Sequence, residues 1–346
     1  MNAKNLNERL RILIVMPATK KRRSTYDLLL TRLTMWQSLT AYQIAALCKD
    51  NDVTIVDENY EKIKFESSYD IVAISAFTAT APRAYEIADR FRNLGTKVVL
   101  GGYHPTALPE EAKQHADSVV IGNAEGIWDG IMKDALNGEL KPFYFSQPSF
   151  LASPLFNGRG KGIIKGIEAT RGCPYRCKFC SISNSAIGGK YMKKPLKQVI
   201  EEIEKAGKYF VFYDSSLAID VSYTKALFKA MASLNKKFAC FGNINVLARD
   251  KELLSLAREA GCIAWAVGME SVSEDALREA RKKNDIGKYK KAVEMLHEHG
   301  IAAIASLVFG FDSDDEKVFE RTLEILCDLE VDSIRANILT PFPRTP

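Results

Sequence analysis

Apolar and polar positions alternate in blocks along most of the chain, and the blocks are of two kinds. Short, nearly continuous apolar runs, "RILIVMP", "DVTIVDE", "YDIVAISAF", "TKVVLGG" and "DSVVIGN", read as strands buried on both faces. Between them lie stretches with helical spacing: residues 34–49, "PRAYEIADRFRNLG" with Gly95 as its C-cap, and "PEEAKQHA". Strand alternating with helix from residue 10 to about residue 135 predicts a doubly wound, Rossmann-like parallel sheet in a first domain, 1–138. Ligands of such sheets bind beyond the carboxyl ends of the strands. That singles out the loops 17–26, 75–82, 101–105 and 122–126.

Residues 139–163 are rich in proline, glycine and aromatics and carry no periodicity, so they read as a linker. Alternation then resumes over 164–346, with strands predicted at 164–169, 209–214, 238–245, 263–269, 302–309 and 332–340. Helices are predicted at 194–206, 221–234, 250–260, 285–299 and 314–329. Six strands with five helices between them predict a partial (β/α)6 TIM-like barrel. The sequence ends in "TPFPRTP" directly after the sixth strand, where a closing helix is expected, so it reads as truncated there.

At 346 residues the chain is long enough for two cores, and 47% hydrophobic with 26% charged residues excludes a disordered chain. No run of eighteen apolar residues is present, so no membrane span is expected, and the run Ile12–Met16 is too short for a signal peptide. A cytoplasmic location is the resulting expectation. The net charge of +5 is densest at Lys20–Arg23, read as a solvated loop or as a site for an anionic group. No stripe of basic and aromatic residues appears, and no nucleic-acid partner is expected.

Chemistry enters with the cysteines. Four of the seven, Cys48, Cys240, Cys262 and Cys327, stand singly in apolar settings and read as core residues. The other three, Cys173, Cys177 and Cys180, share the stretch "TRGCPYRCKFCSI" just after the first barrel strand, the end at which such barrels build active sites. Structural zinc usually takes four protein ligands, yet no second cysteine pair follows, and the nearest histidines are His115 and His297. A [4Fe–4S] cluster on three cysteinates leaves one iron open to a substrate or cofactor. Zinc with a distant fourth ligand and an unligated core trio are the alternatives.

Together with Phe179, the three cysteines match C-x3-C-x-aromatic-C, and at these residues the chain resembles the radical S-adenosylmethionine (SAM) superfamily. The resemblance implies that the open iron chelates the amino and carboxylate groups of SAM. It also implies that an electron breaks the S–C5′ bond to give a 5′-deoxyadenosyl radical, with Phe179 near the cluster and the adenine. "AWAVGMESVSEDAL" resembles the strand-four "GxES" segment, which places Glu270 and Ser271 at SAM; a helix-entry carboxylate is the alternative for Glu270. "SLVFGFDSDDEKVFERTLEI" resembles the strand-five segment, with Gly310 giving backbone clearance and Asp312 in an N-cap role. "NILTPFPRTP" resembles "LTPxPGTP" but carries Arg344 where glycine is usual, so a different backbone is expected there. "VFYDSSLAID" stands where relatives show "DDNF" and keeps Asp214. No catalytic residue is singled out.

The first domain resembles the cobalamin-binding domain that precedes many radical SAM barrels. Ser75-Ala76-Phe77 stands for S-x-L and Gly101-Gly102 for GG, which implies a cobalamin site at Ser75, Phe77, Gly101 and Gly102. His104 lies over that pocket or is a solvated loop residue. "MPATKKRRSTYD" lacks the histidine of D-x-H-x-x-G, so no histidine ligand to cobalt is expected. The resemblance implies three cofactors: a [4Fe–4S] cluster, SAM and cobalamin. It implies methylation of an unactivated carbon in a lipid or isoprenoid, a tetrapyrrole or a natural product, one SAM supplying the radical and a second the methyl group. A small-molecule substrate and a reducing partner of flavodoxin or ferredoxin type follow, with peripheral membrane contact if the substrate is a lipid. The alternatives are radical cyclisation, oxidation or C–C coupling without methyl transfer, and an iron–sulfur electron carrier or sensor. RNA methylthiolation is disfavoured because the first domain holds only Cys48.

Overall fold

The apolar runs of the first half become parallel strands: β1 (Arg11–Met16), β2 (Asp52–Asp57), β3 (Ile71–Ser75), β4 (Lys97–Gly101) and β5 (Ser118–Ile121). A computed structural model describes residues 9–19, 38–48, 51–146, 150–155 and 163–346. The Lys20–Arg23 cluster, most of loop 17–26 and parts of 139–163 lie outside the described residues. The strands order as β2-β1-β3-β4-β5-β6, where β6 (Phe143–Phe145) falls inside the stretch read as linker. Three residues are too few to show a period. What commits them to the sheet is a buried Tyr144, whose hydroxyl donates to Asp134 at 2.7 Å.

Alternate residues of β1 serve opposite faces, as the pleat requires. Ile12, Ile14 and Met16 pack with helices α1 (Leu39–Leu47) and α5 (Trp128–Leu136). Leu13 and Val15 pack with α2 (Ala81–Asn93) and α4 (Pro109–His115). The sheet is therefore doubly wound. Its order reverses between β1 and β3, which makes the loop after β3 part of the crevice where ligands of such sheets sit. The two predicted loops there are partly helical: a 3-10 turn at Thr78–Thr80 and α3 (Tyr103–Ala107).

The chain separates into two compact units, residues 1–165 with 185–187, and residues 166–184 with 188–346. The second holds a six-stranded sheet whose strands follow chain order: β7 (Lys165–Ile167), β10 (Tyr209–Phe212), β11 (Lys237–Gly242), β12 (Cys262–Glu270), β13 (Ala302–Phe309) and β14 (Ser333–Ile338). Strictly sequential parallel strands with helical crossovers are the connectivity of a partial (β/α) barrel. Its core is aromatic, with Phe210, Phe212 and Phe238 in mutual ring contact, Phe228 against Phe238, and Trp265 against Phe228. Among the described residues no helix is long and apolar enough to cross a membrane.

Two local readings change. The helix Val318–Asp328 starts later than predicted, and Asp312 does not cap it: its N–H donates to Glu279 at 3.1 Å. Asp314 instead accepts from the N–H groups of Gly310 and Phe311, closing the turn by itself. Arg344 adopts φ +65°, so the left-handed backbone that glycine would supply there is kept by an arginine.

The three-cysteine loop, residues 172–191, is closed at its base. β8 (Thr170–Arg171) pairs antiparallel with β9 (Met192–Lys193), and the Lys194 N–H donates to Ala169 O at 2.9 Å. Beneath this neck lies Asp214, just past the end of β10 and only 1% exposed. It accepts from the N–H groups of Ala169 and Thr170 and from the Thr170 hydroxyl at 2.6 Å.

Burial pushes Asp214 up to about 7, and the hydrogen bonds from Thr170 and Ala169 offset only part of that. An unfolded aspartate titrates near ~4, so the folded chain holds this proton more tightly. The stability that this group contributes is present below about pH 4 and is lost as pH rises towards about 7. In urea unfolding of the metal-free protein, the stability of the wild type relative to Asp214→Asn is expected to fall from about pH 5 to about pH 7.5. A difference that does not change with pH would contradict this.

Candidate functional site

The cysteine loop gets its shape from main-chain constraints. Gly172 sits at φ +88°, and any Cβ there would run into Lys190 O, so only glycine passes under the returning strand. The Cys173 N–H donates to Gly188 O at 3.0 Å, which fixes the first thiol against the far side of the loop. Cys177 and Cys180 form one tight turn, with the Cys180 N–H on Cys177 O at 3.1 Å. Asn184 donates to both of their carbonyls, at 3.0 and 2.8 Å. The turn leans on the barrel through the Lys178 N–H, which donates to Ala280 O at 3.0 Å. Phe179 packs edge-on against Phe311, beside Ala276, Ala280 and Leu339.

Glu270 ends β12 at φ +65°, after a break in register between Gly268 and Glu270. A non-glycine residue in that region is strained, and it is held by its neighbours. Asn284 donates to Gly268 O and Met269 O at 2.8 and 2.9 Å. The Tyr289 hydroxyl lies 2.9 Å from Met269 O and 3.1 Å from Ser271 O. The Glu270 carboxylate meets the Lys282 ammonium at 2.8 Å, and both side chains occupy the space that a Cβ on Gly268 would need. Ser271 uses its hydroxyl to accept the Ser273 N–H at 3.1 Å, which makes it a turn residue.

Electrostatics join these parts. Burial raises the Cys173 and Cys177 thiols, while the Lys282 ammonium within reach of both pulls them down. Burial also works against the Lys282 charge, yet the adjacent Glu270 carboxylate holds it above the usual lysine range. The sequence-predicted Cys173, Cys177, Cys180, Phe179 and Glu270 are thus brought together at the carboxyl ends of one sheet. Lys282, Asn284 and Tyr289 were not anticipated. Lys282 stands in "ARKKND", where three consecutive cations read as a solvated run and nothing marks the middle one as buried.

In the first unit, Ser75 and Gly101 end adjacent strands, and the Ala76 N–H donates to Gly101 O at 2.9 Å. Gly102 lies at φ +99°, where a Cβ would come within 2.7 Å of Ala76 O and 2.9 Å of the Ser75 hydroxyl. The small residue is needed first for the chain's own close approach. Phe77 is 50% exposed and stacks on Tyr103, centroids 5.9 Å apart, giving an apolar shelf at the strand ends. His104 is neither solvated nor free over that shelf. It is buried, with Nδ1 3.3 Å from the Thr78 hydroxyl and Nε2 3.1 Å from Glu111, and so ties the loop after β3 to α4.

The donors on the cysteine loop are all thiols, which suits iron–sulfur chemistry better than an oxygen-seeking ion. Among the described residues no three His, Cys, Asp or Glu side chains converge on a single-ion site. A cubane cluster distributes its cysteinates over separate irons and asks for no such convergence. The exposed aromatic shelf beside two small strand ends suits a flat macrocycle equally well.

Comparison with known proteins agrees with both halves. The profile of the Radical SAM superfamily matches residues 167–326, and that of the B12 binding domain matches residues 27–131. The bacteriochlorophyllide d C-12(1)-methyltransferase of Chlorobaculum tepidum is 33% identical over 318 residues, 85% of this chain and 69% of that protein. The bacteriochlorophyllide d C-8(2)-methyltransferase of the same organism is 31% identical, covering 85% and 71%. In fold, the chain is similar to the radical SAM methyltransferase TsrM from Kitasatospora setae, solved with cobalamin and a [4Fe–4S] cluster. The TM-score is 0.77 over 98% of this chain and 74% of that one, at 16% identity. The chain belongs to the radical SAM superfamily, with a B12 binding domain ahead of its radical SAM domain.

Proposed function

We propose that this protein is a cobalamin-dependent radical SAM methyltransferase that alkylates an unactivated carbon of a tetrapyrrole-like or similarly large, apolar small molecule. The observation that carries this is the meeting of the three-thiol loop with the Glu270–Lys282 pair at the carboxyl ends of one sheet. Cys173, Cys177 and Cys180 would hold the [4Fe–4S] cluster, and Ser75, Phe77, Gly101 and Tyr103 would line the cobalamin site. Bound there, the cluster supplies the electron that breaks the S–C5′ bond of SAM, and cobalamin supplies a carrier for the methyl group.

The chain's own residues supply the placement. SAM carries its amino and carboxylate groups on one carbon, and the Glu270–Lys282 pair offers one acceptor and one donor to them. With both groups on the open iron, Glu270 would accept from the amino N–H and Lys282 would donate to the carboxylate. Phe179 and Phe311 wall the adjacent space with apolar surface, which excludes water from a reactive radical. Along β11 and β13 burial alternates, and Phe238 packs on Phe228 of the helix layer. The half-buried members Ala239, Phe241, Ile304 and Val308 therefore face the other way. That face is uncharged at these positions, which fits an apolar substrate, and the two bacteriochlorophyllide methyltransferases favour a tetrapyrrole. An external reductant of flavodoxin or ferredoxin type completes the reaction.

Three outcomes are expected. After anaerobic reconstitution the wild type holds about four irons per chain, and Cys177→Ala loses most of them; full retention in the variant would remove Cys177 from the ligand set. Calorimetric titration of reconstituted protein with SAM gives a dissociation constant about 10- to 100-fold higher for Lys282→Met, the loss of one charge-assisted pair. An unchanged constant would show that Lys282 does not hold SAM. With [methyl-13C]SAM, reductant and a tetrapyrrole acceptor, the label appears in product. Deoxyadenosine formed with no labelled product would favour cyclisation or oxidation instead.

A further inference from the structure

We propose that Asp214 is a positioning residue for the three-cysteine loop: its carboxylate fixes the first residues of the loop's neck and thereby the spacing of the thiols that follow. The proposal rests on the reading of that loop as the cluster site.

β7 ends at Ile167, and the N–H groups of Ala169 and Thr170 beyond it bond to a side chain. Asp214, across from it past the end of β10, is the acceptor. Oδ2 takes the Ala169 N–H at 3.1 Å, and Oδ1 takes the Thr170 N–H and the Thr170 hydroxyl. Cys173 lies three residues further on. The same short segment carries the rest of the neck. Ala169 O accepts the Lys194 N–H, and the Tyr223 hydroxyl donates to Lys194 O at 2.8 Å. The Lys194 ammonium, wholly buried, is paired with Glu202 at 2.8 Å. Arg171 is held by Glu168 at 2.7 Å.

The ladder of β8 and β9 joins the two ends of the loop to each other, but it does not say where that joint stands on the barrel. Asp214 does. A buried acid with both oxygens occupied is an expensive choice for stability alone, because burial opposes its charged form by more than the hydrogen bonds return. It is a good choice for fixing one register, since each oxygen accepts only along a narrow set of directions. The loop's apolar contacts, Phe179 against Phe311 and the buried Ile187, lie beyond Cys173 and leave the neck to polar bonds. Neighbours that orient metal ligands typically alter metal affinity about 10- to 100-fold when removed.

The test uses the full chain with Asp214→Ala, Asp214→Asn and Thr170→Val. Each is followed by far-ultraviolet circular dichroism of the metal-free protein, iron per chain after anaerobic reconstitution, and the electron paramagnetic resonance spectrum of the reduced protein with and without SAM. Asp214→Ala is expected to keep a native dichroism spectrum, to lose at least about threefold in iron, and to lose the spectral change on adding SAM. Asp214→Asn, which keeps one acceptor oxygen, and Thr170→Val, which keeps the backbone bonds, are expected to fall between. Full iron and an unaltered SAM response in Asp214→Ala would overturn the proposal. So would loss of the native dichroism together with the iron, because Asp214 would then be a folding residue. A wild type that takes up no iron would overturn the cluster reading itself, before any variant is compared.

Discussion

A loop of some twenty residues that presents three thiols packs only a few apolar side chains, among them Phe179 and Ile187, so much of its shape is set by main-chain bonds at its base. Here the base is a two-residue antiparallel ladder set on a buried carboxylate, with Gly172 under Lys190 at one turn and Asn184 across two cysteine carbonyls at another. Every other part of the site takes its place from this closure. Phe179 reaches Phe311 because Lys178 is tied to Ala280, and the thiols come within reach of Lys282 because the loop folds back over the ends of β12 and β13.

The second organising element is the strained end of β12. A left-handed Glu270 turns its carboxylate onto Lys282 in place of continuing the strand, and Asn284 and Tyr289 hold the carbonyls that this turn leaves. Strain of this kind persists only where neighbours over-determine it, and it clusters at functional sites. Burial opposes the Lys282 charge, and the Glu270 carboxylate beside it offsets that cost. The strained backbone of Glu270 thus places one acceptor and one donor side by side at the end of β12.

The doubly wound sheet and the sequential barrel strands were legible because continuous apolar runs separated by helical periods admit few other folds. β6 was not, since its three residues show no period and join the sheet through Tyr144 and Asp134. Asp312 looked like a cap because acidic residues cluster there, whereas the turn is closed by Asp314 two residues on. The cysteines announced metal chemistry by spacing alone. Lys282 and Asp214 carried no such mark: one hides in a run of cations, and the other acts on a residue 44 positions away. Partnerships of that kind are set by strand order and are invisible to local pattern. The burial of His104 was hidden in the same way, as its partners Thr78 and Glu111 lie on separate elements.

The front unit shows the same economy at a different scale. Gly102 is needed because the ends of β3 and β4 approach each other, and the shelf of Phe77 and Tyr103 stands where the strand order reverses nearby. Both units thus put their chemistry at the carboxyl ends of parallel strands. The most direct measurement is the 5′-deoxyadenosine formed when reconstituted protein, SAM and a strong reductant are mixed without oxygen. Deoxyadenosine that requires all three cysteines is the predicted result. A protein that carries its full cluster, binds SAM and yields none would contradict the assignment of the Cys173–Cys180 loop as the cleavage site.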